Sequence, residues 1–93
     1  MIKTFKSKET EKIWNRIASK KLPIDIQNIA RRKLRMLNNA SILTDLRVPS
    51  NNRLERLKGN RKSQYSIRIN DQWKICFIWS GNDSYNVEIV DYH

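Results

Sequence analysis

The sequence closes on Asp91, Tyr92 and His93, which set an acid, a phenol and the chain's single imidazole side by side. Cleavage of RNA through its own 2′-hydroxyl asks for a group to take the 2′ proton, a cation on the crowded phosphate and an acid for the departing 5′ oxygen. That chemistry calls for no metal. A carboxylate at Asp91 favours the charged form of a nearby imidazole, which suits His93 to act as acid or phosphate clamp. Cations stand upstream at Lys58, Arg68 and Lys74, with Arg56 and Arg61 as further contacts for an RNA backbone. Each residue also has a plainer reading. A histidine at the end of a chain is ordinarily solvated, Tyr92 suits a half-exposed strand position as well as a stacking platform, and Arg68 suits a cross-strand pair with Glu88.

The 93 residues are enough for one domain, 1–93, and too few to enclose a large cofactor, so any site is expected to be a shallow groove. Nineteen Lys and Arg against nine Asp and Glu leave a formal charge of +10, which self-repels unless a polyanion or an acidic partner is the working context. Nucleic acid is the first expectation, with a merely solvated basic surface as the bland alternative. The one cysteine, Cys76 inside "ICFIW", closes no intramolecular disulfide and reads as a small core hydrophobe in a reducing compartment. "MIKTFKSKET" lacks a secretory apolar region, and the longest apolar run, 75–79, falls far short of the ~18 residues of a membrane span, so a soluble, cytoplasmic protein without membrane contact is expected. One His and one Cys give no zinc spacing, and two glycines make no phosphate-cradling loop, so neither metal nor cofactor is expected.

The elements that must hold these residues follow from periodicity. "IKTFK" alternates as a short strand over 2–6. Ser7 caps a first helix on which Ile13, Trp14 and Ile17 recur. Pro23 and Asp25 open a second, with Ile26, Ile29, Ala30, Leu34 and Leu37 on one stripe and Arg31, Arg32, Lys33 and Arg35 as a solvated basic cluster. "SILTDLRVPSNN" reads as a connection with Ile42 and Leu46 tucked in. The period then changes to two. "RLERLKG" is a strand, "QYSIRIN" and "WKICFIW" form a hairpin through "NDQ", and "SYNVEIVDYH" is the last strand, with Tyr85, Val87 and Ile89 toward the core. Trp14, Trp73 and Trp79 are assigned to the core. The expected fold is α+β, two N-terminal helices packed on one face of a mainly antiparallel sheet of four to five strands. Parity gathers Arg68, Lys74, Glu88 and Tyr92 on the open face, with Lys58 at a strand end beside it.

The run "NRLERLKGNRKSQYSIRINDQWKICFIW" with "VEIVDYH" closely resembles the HigB-type toxins of the RelE/ParE superfamily. The resemblance is strong over residues 48–93 and looser over "MIKTFK" and the two helices. It implies a RelE-like fold and a toxin that enters the ribosomal A site and cuts translated mRNA. It further implies restraint by a helix-turn-helix HigA-like antitoxin, through which alone operator DNA is met. Carried over by position, Lys58, Lys74, Asp91, Tyr92 and His93 fall where the family keeps its active-site residues. Some members have a histidine shortly before the "LKG" lysine where this chain offers Glu55 and Arg56, and Lys74 stands where arginine is common. Other classes compatible with the same sequence are a ParE-like inhibitor of DNA gyrase and a plain RNA-binding module.

Overall fold

Ser7 starts the first helix by accepting the Thr10 N–H on its hydroxyl at 3.3 Å, and α1 runs Lys8–Trp14. The structure, a computed structural model, describes residues 1–58 and 63–92. The first helix stops a turn earlier than the Ile13, Trp14, Ile17 spacing predicts. Arg16 adopts a left-handed φ of 64°, its N–H bonds the Ile13 carbonyl at 3.1 Å, and the Ile17 N–H reaches back to the Lys12 carbonyl at 2.8 Å. That double closure satisfies the last carbonyls and terminates the helix. Ile17 is consequently 53% exposed and not part of the core.

The second helix, α2, spans Ile24–Asn39, with Asp25 favourably placed in its first turn. Its buried stripe holds Ile26, Ala30, Leu34 and Leu37 as expected, and also Gln27 and Lys33. Gln27 donates to the Ser19 and Leu22 carbonyls, both at 2.9 Å, and accepts the Ser19 N–H at 3.2 Å, which fastens the interhelical loop to the helix. Lys33 departs from the solvated cluster assigned to it. Positions 26, 30, 33 and 37 follow one another at three- and four-residue steps, so they lie on one helical face and Lys33 goes inward with the stripe. Its ammonium hydrogen-bonds Asn52 and lies 3.5 Å from the Asn51 side-chain oxygen. Burial, reinforced by the charge of Arg32, lowers its pKa below the ordinary lysine value of 10.5.

The connection that follows contains two 3₁₀ segments, Leu43–Arg47 and Ser50–Asn52. Residues three apart eclipse in this geometry, so Leu43 and Leu46 turn to the core together. Ile42, expected inside, is 52% exposed. The Asp45 carboxylate holds the entry by accepting the Ser41 and Ile42 N–H groups at 2.9 and 3.1 Å.

Four antiparallel strands complete the chain: β1 (Glu55–Arg56), β2 (Gln64–Arg68), β3 (Trp73–Ser80) and β4 (Asp83–Asp91), in the order β1-β2-β3-β4. The first residues, expected as a strand, run beside β4 as two isolated parallel bridges, Ile2 to Ser84 and Phe5 to Val87. A bulge explains the interruption. Cys76 pairs with Glu88 but Ile78 pairs with Tyr85, so β4 carries one extra residue there, and Asn86 within it has a left-handed φ of 52°. An extra residue exchanges the faces of everything before it. Tyr85, expected toward the core, therefore shares the face of Ile78, and Ser84 takes the fully buried place.

Ile13, the α2 stripe and Leu46 meet Ile67, Ile75, Phe77, Val87 and Ile89 in one cluster, with Trp14, Trp73 and Trp79 at its margin. Each fully buried aliphatic or Phe side chain contributes ~1.5–3 kcal/mol. The helices thus occupy one face of the sheet, and the alternate residues Ser66, Arg68, Lys74, Cys76 and Glu88 belong to the other.

Candidate functional site

The register of the hairpin builds the site. Arg68 of β2 lies directly opposite Lys74 of β3, and Lys74 lies opposite Val90 of β4. Tyr92, two residues beyond Val90, rejoins the same face. A lysine in a central strand is costly when aimed into a core, and this parity spares Lys74 that cost by turning it away from the helices. With Arg53, Glu55 and Ser66, these three side chains line an open groove of about 120 Å³. The Lys74 ammonium lies 5.0 Å from the centroid of the Tyr92 ring. The Tyr92 hydroxyl donates to the Asn70 carbonyl at 2.8 Å, and the side chain remains exposed.

Arg68 is oriented by the turn that follows it. Its Nε donates to the Asn70 carbonyl at 3.0 Å and its Nη2 pairs with Asp71. Glu88, the alternative partner weighed for it, pairs with Lys6 at 3.6 Å. Asp91 faces Trp73 in the register, hence the opposite side of the strand from Tyr92, and its carboxylate accepts from Gln72 Nε2 at 2.9 Å.

Of the residues singled out from sequence, the structure brings Arg68, Lys74 and Tyr92 together in the groove, while Asp91 is not among its lining residues. Lys58 is exposed two residues beyond β1 and is not among the groove-lining residues. Arg56 pairs in register with Tyr65 and shares that residue's face, so it does not join the groove. His93 and Arg61 lie outside the described residues. Arg53 and Glu55 were not anticipated. Glu55 stands opposite Ser66, so strand parity extended through β1 would have found it. Arg53 ends the second 3₁₀ segment with a left-handed φ of 46°, a turn that no periodicity announces.

Three cations against one carboxylate line the groove, a balance that attracts an anion, and the half-covered Tyr92 ring offers a surface for a base. Among the described residues no cluster of His, Cys, Asp or Glu is arranged to hold a metal ion, and no helix is long and apolar enough to cross a membrane. A second groove of about 310 Å³ lies on the helix side, where Ile29, Arg32, Lys33 and Met36 face Pro49, Asn51 and Ile69.

Residues 3–93 match the family of RelE-like toxins of the type II toxin–antitoxin system HigB. The chain is 41% identical over 76 residues to Toxin HigB-1 of Vibrio cholerae, covering 81% of this chain and 80% of that one. It is 27% identical to Endoribonuclease HigB of Proteus vulgaris over the whole of both chains. An uncharacterized protein of Haemophilus influenzae is 34% identical over 67 residues, 72% of this chain and 66% of its own.

Proposed function

The chain belongs to the HigB family of RelE-like toxins of type II toxin–antitoxin systems, and from that premise we propose that it is a ribosome-dependent endoribonuclease that cuts translated mRNA in the A site. The observation that carries the proposal is the open basic groove in which Lys74 and Tyr92 stand in contact with Arg68 beside them. Lys74 neutralises the phosphate as charge builds on it during attack by the neighbouring 2′-hydroxyl, and Arg68 adds to the field from a fixed position. Tyr92 supports the base or sugar next to the scissile bond. Asp91 and His93 handle the protons, and Lys58 approaches from the end of β1. The relative named an endoribonuclease, similar over its full length, supports the reaction class. An open groove on a flat sheet face holds a nucleotide but does not align a long strand, and the ribosome supplies that alignment.

Membership of a type II system implies an antitoxin partner. We assign that role to a helix-turn-helix protein of the HigA kind, which also carries any contact with operator DNA.

The test is purified protein added to a translation reaction and, separately, to the same mRNA without ribosomes. Cuts confined to the translated message, with 2′,3′-cyclic phosphate ends and no divalent-ion requirement in the chemical step, are expected. Intact mRNA on translating ribosomes would overturn the proposal, and a change in DNA supercoiling instead would point to gyrase.

A further inference from the structure

The β2–β3 turn makes more hydrogen bonds than a hairpin needs. Asn70 Oδ1 accepts the backbone N–H groups of Gln72 and Trp73 at 2.9 and 2.8 Å, a side-chain-closed turn that fixes the direction of its own carbonyl. That carbonyl does not return to the ladder. It accepts Arg68 Nε at 3.0 Å and the Tyr92 hydroxyl at 2.8 Å, so one oxygen sets two groove side chains. Two residues on, the Gln72 carbonyl accepts the Tyr92 N–H at 2.9 Å, and the Gln72 side-chain amide donates to Asp91 at 2.9 Å.

We infer that Asn70 and Gln72 are positioning residues for this site: Asn70 sets the Tyr92 ring under the Lys74 ammonium and holds the Arg68 guanidinium, and Gln72 sets the Asp91 carboxylate. The inference rests on the nuclease reading above. Neither residue lines the groove. The physical reason for such a device is the exposure of Tyr92 and Asp91. Side chains with little packing around them wander between rotamers, and an error of about 1 Å in a reacting group costs on the order of 10² in rate. Hydrogen bonds from a closed turn replace the missing packing. The roles also separate by chemistry. Gln72 must donate to a carboxylate, so Gln72→Glu sets one negative charge against another and displaces Asp91. Asn70 must accept two N–H groups, a task that aspartate performs and alanine does not.

Single-turnover cleavage on programmed ribosomes, with ribosome affinity measured by co-sedimentation and folding by thermal melting, tests this in Asn70→Ala, Asn70→Asp and Gln72→Glu. Asn70→Ala and Gln72→Glu are expected to lower kcat by about 10- to 10²-fold with ribosome affinity nearly unchanged, and Asn70→Asp to restore most of the rate. Wild-type kcat in both Asn70→Ala and Gln72→Glu overturns the inference, as does a loss confined to affinity. Fluorotyrosine-labelled protein gives a readout that does not depend on cleavage. The ¹⁹F signal of Tyr92, assigned through Tyr92→Phe, should move in Asn70→Ala and stay near its wild-type position in Asn70→Asp. An unmoved signal in Asn70→Ala refutes positioning even if the protein proves not to be a nuclease. A moved signal with no cleavage by the wild type counts against the nuclease reading alone.

Discussion

Lys74 and Tyr92 meet across the groove with the ammonium 5.0 Å from the ring centroid, one projecting from the central strand and the other from the residue that follows β4. A cation over an exposed aromatic contributes only ~0.5–1 kcal/mol, too little to explain placing a lysine in mid-sheet for stability. Under the proposed function the contact fixes the place of the charge in the groove. Lys74→Ala is expected to lower kcat by about 10²- to 10³-fold, the range for losing one group that stabilises developing charge, while the melting temperature stays near wild type. Lys74→Arg should keep most of the rate, since a guanidinium also grips phosphate.

The ring and the hydroxyl of Tyr92 do different things, and two substitutions separate them. Tyr92→Phe keeps a ring in the groove but loses the bond to the Asn70 carbonyl that sets it under Lys74, whereas Tyr92→Leu loses both ring and bond. Cleavage rates should fall in the order wild type, Phe, Leu. Equal rates for the Phe and Leu variants would show that the ring itself is idle.

The hairpin was legible in the sequence because strict alternation in "QYSIRIN", and Lys74 set between Trp73 and Ile75 in "WKICFIW", specify the two faces without help from the rest of the chain. That alternation alone predicted that Arg68 and Lys74 share a face, and the register bears it out. The α2 stripe was legible for the same reason, except at Lys33. Its spacing marks it as buried, and its chemistry argued otherwise because the asparagines that receive it come from a distant loop. The Asn86 bulge was not legible, since one left-handed residue inside a good strand pattern changes no periodicity until the partner strand is known. The groove was therefore half visible. Arg68, Lys74 and Tyr92 came from parity, and Arg53 came from a turn geometry that only the folded chain shows.

Asn86 holds its left-handed backbone against a cost of ~1–2 kcal/mol for an L-residue, eased by asparagine's tolerance of that region. Its N–H donates to Thr4 Oγ1 at 2.8 Å, which ties the bulge to the N-terminal segment. Asn86→Gly should leave stability within a few tenths of a kcal/mol and Asn86→Ala should cost about 1 kcal/mol, a drop of roughly 4–8 °C in Tm for a domain of this size. Calorimetry on the two variants checks this, and equal Tm values would show that the left-handed backbone at Asn86 carries no such cost.

Lys33 gives a pH signature of definite sign. Its folded pKa lies below the unfolded value because burial, then the charge of Arg32, opposes the ammonium. Between the two values the unfolded chain binds more protons, so stability must rise with pH there. Relative to Lys33→Met, the wild type should gain as pH climbs through the lowered pKa toward 10.5 and gain nothing further above it. Urea titrations of both proteins in that window measure the difference. A constant difference would mean that the ammonium is not burdened by burial.

Net charge sets a separate expectation for binding. If phosphate contacts dominate, ribosome affinity should fall steeply with salt, each neutralised phosphate adding a slope of roughly −0.7 to −0.9 in log K against log salt. Arg32 belongs to the helix-side groove. Arg32→Ala should therefore leave kcat intact, while Lys58→Ala should lower it if the end of β1 reaches the RNA. Equal losses in both would mean that the charge acts in bulk.

Asp91, Tyr92 and His93 carry the sharpest prediction. The contacts of this segment include the ladder pairing of Asp91 with Trp73, the Gln72 bonds, the Tyr92 hydroxyl bond and the Lys74–ring contact. Exposed hydrogen bonds of this kind each contribute ~0.5–1.5 kcal/mol at most, and no core side chain belongs to the segment, so its removal should lower stability modestly and leave the fold in place. Cleavage should nonetheless vanish, because the groups proposed above to move the protons go with it. His93→Gln alone keeps every described contact and should cost about 10²- to 10⁴-fold in kcat, the range for one general acid or base. The loss should be largest at pH values where the imidazole of the wild type is in its working protonation state, so the pH–rate profile of the variant should lose one limb. Near-normal cleavage of mRNA on programmed ribosomes by His93→Gln would return this histidine to a solvated position and leave Lys74, Tyr92 and Asp91 to account for the chemistry.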